Sequence, residues 1–592
     1  KTNTFDALTN LGPTATAHSY TFEFTSNPTW YAIQALPYLM EYPHQCSEQI
    51  FNRMYANALA GHIAHQNPKI KTIFDQWKMK DSDALRSNLE KNTELKSAIL
   101  EETPWVRAAQ SETEQKKRIA LLFDLNKMSN EIETVLAELT RRQLPDGGFP
   151  WFSGSYASVY ITQNIVEGLL HLEHLGVISA NDQKYRPIID KALHYLDEQS
   201  VKRYTDLQER INKYGGKINE DHLDQLSIHY LYVRSFLGVP AEDGKSAYDY
   251  YLGQAQKYWL KKGLYSEAMI GLTLHRANLA EANDIKKSLT ERSFYSDNLG
   301  RYWNIGNGFH WYELPIESHA MLIEFFTEVE TDRNFVDDMK IWLLKNKQTN
   351  HWKTTKATSA AIYALLIQGE EQGMISWLDD QAQPTISIGN EKINIDAEGA
   401  EAGTGYFKKT WSKSEITSDL GETTIQNNSD HIAWGASYLQ YFEQIDQVKS
   451  FEETPLKVSR KLFKSEMTDQ GPQLVAVDQT TVTPGDKLVV RIEIRVDRNM
   501  SYVHLKDTRS SGIEPENVLS GYRYKGGLGY YESTRDLASH FFIDQLNKGT
   551  YVFEYSARAV HKGDFTGGLS TLQCMYAPEF VSHSDAVRLE IE

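Results

Sequence analysis

Cysteine is nearly absent from this chain of 592 residues: Cys46 and Cys574 are the only two. Two cysteines exclude a disulfide framework and a cysteine-rich zinc site. The count suits a reducing cytosol, and equally a bacterial envelope protein that keeps one thiol for a purpose. Positive charge is also short, with 62 Lys and Arg against 79 Asp and Glu and a net charge of −17. Such a surface repels phosphate backbones, and no local basic stripe offsets it, which excludes a nucleic-acid binder. Apolar runs are short and interrupted, so no segment reads as a bilayer-spanning helix. The chain opens on Lys1 without a signal or lipidation sequence. It reads as a piece of something longer, whose targeting its first residues do not carry. What remains is ordinary globular composition, 41% hydrophobic and 24% charged, at a length that suggests roughly four domains.

Periodicity divides the chain into blocks. Ser19 to Phe24 alternates with period two, a strand with no nearby partner. From Asn27 to about Gln368 the pattern is helical. Ile50, Phe51, Met54, Tyr55, Ala58 and Leu59 follow one helix face, and Ser111 with Glu114 forms a capping box before another helix. About a dozen helices are expected, joined by short Gly- and Trp-bearing turns at 144–151, 302–311 and 350–352. Helical hairpins in a bundle, solenoid or closed ring fit this pattern, although irregular spacing does not support a strict solenoid. After Pro384 the period returns to two. Ile386 and Ile388 face Ile393 and Ile395 across a Gly389-Asn390 turn, and Ile432, Trp434, Ala436 and Tyr438 alternate further on. From Pro455 a second β block carries two strongly alternating strands. One holds Leu488, Val490, Ile492, Ile494 and Val496; the other holds Tyr551, Phe553, Tyr555 and Ala557. Two small β-sandwiches are the natural reading. The isolated first strand then pairs with the 385–445 sheet, and the helical block becomes an insertion within a β domain.

The stretch from Glu41 to Ile50 carries the chemistry. Cys46 and Gln49 stand three residues apart at a helix start marked by Pro43 and Ser47, so both side chains face the same way. The bland alternative is a small buried thiol at a helix entry. The chemical one is that the helix dipole lowers the thiol pKa. The Cys46 sulfur then reaches the Gln49 side-chain carbonyl and closes an internal thioester with loss of ammonia, an acyl group stored in activated form.

The segment Tyr42-Pro-His-Gln-Cys46-Ser-Glu48-Gln49 resembles the Cys-x-Glu-Gln thioester motif of the α2-macroglobulin and complement family. Its Tyr-Pro lead-in is similar to the bacterial α2-macroglobulin branch. The run from Leu144 through Thr162 looks like a turn and helix of the family's thioester domain, and Gln573 to Phe580 looks like the closing strand of its last macroglobulin domain. The resemblance implies an α plus β architecture: an α/α toroid inserted in a CUB-like β domain, then a macroglobulin-type β-sandwich. The expected segments are 1–26 and 373–454 for the CUB-like domain, 27–372 for the toroid and 455–592 for the sandwich. It implies a protease trap of the bacterial cell envelope, periplasmic, surface-held or lipid-anchored, and an inhibitor rather than an enzyme. No cofactor or metal is called for. The partners would be proteases, linked covalently through lysine amines, and upstream macroglobulin and bait-region domains of the same parent; the chain would be monomeric. By the same resemblance Cys46 supplies the sulfur and Gln49 the acyl carbon. Tyr42 and Met575, with Tyr576, would shield the bond. Glu48 sits in the motif with no assigned chemistry, and surface stabilisation of the helix dipole is its bland role. Complement-type members use a histidine to pass the acyl group to hydroxyls. The corresponding neighbourhood, Asp146 to Trp151, has none, and His44 reads as a surface residue at the helix entry, so transfer to amines is expected.

Other signals are weaker. Thr508 to Ser511 and Tyr522 to Gly527 read as solvated loops with exposed charge, and Asp379-Asp380 as linker polarity. Two rivals stay open. An α/α-toroid enzyme, terpenoid cyclase-like or glycoside-active, would share the Trp-bearing turns, but the chain has no Asp-x-Asp-Asp motif and no zinc-ligand set. A binding module with an inactive thioester would share everything except the bond.

Overall fold

The computed structural model describes residues 2–8, 11–40, 46–66, 73, 125–179, 181–297, 299–305, 315–346, 352, 354–367, 383–395, 397–429, 432–452, 454–517, 519–566, 568–575 and 580–592. The Ser111 capping box, much of the 302–311 turn, Asp379-Asp380, Tyr42, His44 and Tyr576 lie outside these residues.

Twelve helices are described: α1 (Trp30–Met40), α2 (Ser47–Gln66), α3 (Leu125–Arg142), α4 (Val159–His174), α5 (Arg186–Tyr214), α6 (Gln225–Ser235), α7 (Glu242–Tyr258), α8 (Leu264–Arg276), α9 (Glu281–Glu291), α10 (Pro315–Val329), α11 (Arg333–Lys345) and α12 (Thr355–Leu366). Burial sorts them into two layers. In α8 every residue from Tyr265 to Leu274 is buried, and in α10 every residue from Glu317 to Phe326. A helix buried on all sides belongs to the interior. The outer α9 buries only Ala282, Ile285 and Leu289, a single stripe at helical spacing. The even-numbered helices pack in succession, and α12 packs back on α1 and α2, so the ring closes. Five of the six inner helices carry the next helix outside them, α3 on α2, α5 on α4, α7 on α6, α9 on α8 and α11 on α10, and α12 packs on α1. The helical block is therefore a closed α/α toroid. No described helix is long and apolar enough to cross a membrane.

Strands β1 (Thr2–Thr4) and β2 (Thr16–Thr25) precede the toroid, whose rim carries the hairpin β3 (Phe294–Ser296) and β4 (Gly300–Tyr302). After it come β5 (Thr385–Ile388), β6 (Glu391–Ile393), β7 (Phe407–Ser412), β8 (Glu422–Gln426) and β9 (Trp434–Phe442). These strands form a sheet of order β1-β8-β5-β6 and a second of order β7-β2-β9. Tyr20, Phe22 and Phe24 of β2 meet Ile386, Ile388, Ile393, Phe407 and Trp411 in one core. The first strand thus finds its partners beyond the helices, and the toroid is an insertion in a β domain. The 434–438 alternation marks a real strand, but its large residues turn away from that core. Trp434 and Tyr438 pair with Thr25 and Thr21, on the face opposite Tyr20, Phe22 and Phe24. There Trp434 stacks on Tyr31 of α1 at 6.3 Å. This face docks the β domain on the toroid.

The last block holds β10 (Leu456–Thr468), β11 (Gly471–Ala476), β12 (Lys487–Val496), β13 (Met500–Thr508), β14 (Ile513–Pro515), β15 (Gly521–Lys525), β16 (Leu528–Thr534), β17 (Ala538–Leu546), β18 (Gly549–Ala559), β19 (Gly563–Thr566), β20 (Ser570–Cys574), β21 (Val581–His583) and β22 (Arg588–Ile591). A sheet of order β11-β10-β12-β18-β14 faces one of order β15-β16-β17-β13-β20-β21. Val490, Ile492 and Ile494 stand opposite Tyr555, Phe553 and Tyr551, with the alternation their sequences carry. Two loop expectations need correction here. Arg509 is buried, donating to Ser539 Oγ and to backbone carbonyls of the 535–536 turn. The run from Tyr522 is strand β15, not loop, with Tyr522 and Tyr524 exposed. Leu299 of the rim is part of the sandwich core, and Tyr302 and Trp342 pack against it, so the sandwich rests on the toroid there.

Candidate functional site

Cys46 immediately precedes α2 and its carbonyl accepts the Ile50 N–H at 3.0 Å, which makes Cys46 the cap residue. Its own N–H donates to Gln49 Oε1 at 3.3 Å. The Gln49 backbone N–H is in turn directed at the Cys46 sulfur. The arrangement is that of a capping box, with a thiol where serine or threonine would stand. A local helix-start device thus carries the sulfur and the glutamine side chain to the same place. The Ser47 N–H donates to the Trp151 carbonyl at 2.9 Å, tying the site to the turn before α4. That turn depends on Gly147 at φ +89°, where a Cβ would lie 2.1 Å from the Lys191 carbonyl oxygen. The Trp151 ring stacks on Tyr160 at 6.0 Å.

The thiol does not behave as the helix dipole alone predicts. Burial pushes the Cys46 pKa up and the neighbouring Glu48 charge adds to it, while the Gln49 N–H pulls the other way. The sulfur is held as a thiol. Glu48 is not a surface residue either, being 8% exposed. Its Oε1 accepts from Asn52 Nδ2 and, at 2.8 Å, from Thr355 Oγ1 at the start of α12. Its Oε2 faces Cys46 Sγ at 3.8 Å. Burial raises its pKa, opposed by the Thr355 bond and by Lys356.

Behind the motif lies a buried polar layer. Lys356 donates to the Tyr160 hydroxyl at 2.9 Å and sits over the Tyr160 and Tyr265 rings. Glu167 and His229 are joined at 2.7 Å. Tyr232 donates to Glu324, which also pairs with Arg276 at 3.0 Å. Sequence reasoning missed all of these. The available signal was the charged residues set within otherwise buried runs, such as Glu167 in α4, Glu324 in α10 and Lys356 in α12. Met575 follows β20 in the sandwich, 1% exposed, with its N–H donating to the Tyr502 carbonyl at 2.9 Å. Among the described residues no group of three metal-ligating side chains converges.

The family model for the bacterial α2-macroglobulin MG10 domain matches residues 456–579, which run from β10 past β20. A curated α2-macroglobulin homolog of a Nostoc species is 22% identical over 299 residues, 48% of this chain; the match covers only 15% of that relative's length. Among solved structures, native α2-macroglobulin of Escherichia coli from domain MG7 to the C-terminus is 13% identical, with a TM-score of 0.34 and 80% of it covered. The trypsin-activated Escherichia coli protein is 13% identical, with a TM-score of 0.45 and 35% covered. Residues 456–579 thus match the MG10 domain of bacterial α2-macroglobulins, and part of the chain is similar to a curated α2-macroglobulin homolog.

Proposed function

We propose that this chain is the thioester-bearing part of a bacterial protease trap, with the bond between Cys46 Sγ and Gln49 Cδ. The observation that carries the reading is the capping box, which directs the Gln49 carbonyl oxygen to the Cys46 N–H and the Gln49 N–H to the sulfur. Attack by sulfur on Cδ expels ammonia and leaves an acyl group whose leaving group is a thiolate. A protease that cuts a bait region elsewhere in the parent uncovers the bond, and its lysine amines take the acyl group. The chain acts as an inhibitor rather than an enzyme, in the cell envelope. Tyr42 from the segment before α2, and Met575 with Tyr576 from the sandwich, keep water from the bond until that moment.

Intact mass tests the reading: the native chain should be lighter than the coded sequence by one ammonia. Methylamine should then add to Gln49 and release one thiol, with Cys46→Ala as the blank and Cys574 counted separately. A native chain of full coded mass, with an unchanged thiol count after methylamine, would refute it.

A further inference from the structure

Closing the thioester requires one proton to leave sulfur and one to reach the departing nitrogen. Glu48 is placed for the first of these transfers. Its Oε1 is engaged by two donors, Asn52 Nδ2 and Thr355 Oγ1, which leaves Oε2 directed at Cys46 Sγ, 3.8 Å away. The carboxylate is 8% exposed, and Lys356 is the cation whose charge acts on it. The ammonium of Lys356 also donates to the Tyr160 hydroxyl at 2.9 Å. A buried carboxylate facing a thiol is a recurrent mark of acid–base chemistry.

Resting on the thioester reading above, we propose that Glu48 is the proton-transfer residue of thioester self-assembly, armed by Thr355 when the toroid closes. Glu48 Oε2 takes the Sγ proton as sulfur attacks Gln49 Cδ, and negative charge develops on Gln49 Oε1, which the Cys46 N–H already contacts at 3.3 Å. The intermediate collapses as Glu48 returns that proton to the amide nitrogen. The C–N bond breaks, ammonia leaves, and Glu48 is a carboxylate again. One S–C bond replaces one C–N bond with no other reactant. Burial raises the proton affinity of Glu48, which improves it as a base. The timing follows from the fold. Asn52 is on the same helix as Glu48, but Thr355 is 307 residues away on the last inner helix. The carboxylate is fixed only once α12 has closed the ring against α2.

The test is cell-free synthesis of the full chain, acid quenching at intervals and intact mass, with folding checked by urea melts. Wild type should lose one ammonia soon after chain completion. Glu48→Gln keeps an acceptor for Asn52 and Thr355 but cannot take the proton, so ammonia loss should slow at least ~100-fold. Thr355→Val, which frees the carboxylate from its anchor, should slow it about tenfold. Across pH, the wild-type rate should rise as Glu48 ionises. The groups facing it are Cys46 on its own helix, Lys356 of α12 and Tyr160 of α4. The slow rate of Glu48→Gln should follow thiol ionisation alone. Folded Glu48→Gln losing ammonia at the wild-type rate overturns the proposal while the thioester stands. If that variant does not fold, Thr355→Val forming the bond at the wild-type rate overturns it instead. A wild type that never loses ammonia overturns both readings.

Discussion

Replacing Asp507 with alanine removes the hub that joins the two sheets of the last sandwich. Asp507 on β13 is fully buried and accepts from Arg460 Nε of β10 at 2.8 Å, from Ser570 Oγ of β20 at 2.6 Å and from the Tyr555 hydroxyl of β18. The Arg460 side chain is 0% exposed, and its Nη1 and Nη2 have no hydrogen-bond partner. Without Asp507 the guanidinium is a buried charge with nothing opposite it, which costs about 3–5 kcal/mol. The chain's twelve tryptophans end at Trp434 and none belongs to the sandwich, although Trp342 of the toroid packs against it, so tryptophan fluorescence reports mainly on other parts. Hydrogen exchange read by mass spectrometry over β10, β12 and β13 reports on the sandwich itself. There the loss appears as roughly 100- to 4,000-fold faster exchange of the slowest amides. The double change Arg460→Met with Asp507→Leu removes both charges and should recover most of it. A change below threefold in Asp507→Ala, or a double variant worse than the single, would refute the reasoning.

Other outcomes follow from the same geometry. Heating the native chain in denaturant should split it between Glu48 and Gln49, because the Gln49 nitrogen can attack its own activated carbonyl; methylamine pretreatment should abolish the cleaved band on a gel. Tyr42→Gly and Met575→Ala should each speed methylamine incorporation without lowering the melting temperature, and equal rates in all three proteins would dispose of the shield. His504 and His540 touch at 3.0 Å, and burial holds their pKa values down to about 3 and about 4, with Lys506, Arg509 and Arg535 adding to the effect. The unfolded chain therefore binds more protons below about pH 6.5, so the sandwich should lose stability as pH falls from there toward 4, seen in its tyrosine near-ultraviolet melting.

The legible part of the site was its local part. Cys46 and Gln49 are three residues apart, and helix geometry alone brings them together. Glu48 was read as exposed because its burial depends on Thr355, which nothing near residue 48 announces. The thiol pKa was misjudged for a related reason: the dipole argument is local, whereas burial and the Glu48 charge arise from tertiary packing and outweigh it. In the fold, period two and period 3.6 separated the β blocks from the helical one, but missed the short hairpin β3–β4 and strand β15. They did not say that Trp434 of β9 meets α1, since alternation marks a strand's two faces without telling which neighbour each will meet. Arg509 shows the same limit, because a charge in a turn-like run reads as solvated until its carbonyl partners at 535 and 536 are in place.

The position of β2 has a consequence for how the chain is made. Tyr20, Phe22 and Phe24 alternate along a strand that is central in its sheet, between β7 and β9. Both neighbours lie about 380 residues downstream of it or more. At ~5–20 residues per second, translation takes roughly 20–75 seconds to deliver the first of them. Throughout that interval the segment presents unpaired amides and carbonyls beside three aromatic rings, the features by which a bare strand recruits the wrong partner. Nascent chains emerging together from one message are the nearest such partners. This stretch is therefore a natural ribosome-side site for a holding chaperone, and the yield of folded protein should depend on how long it is left waiting.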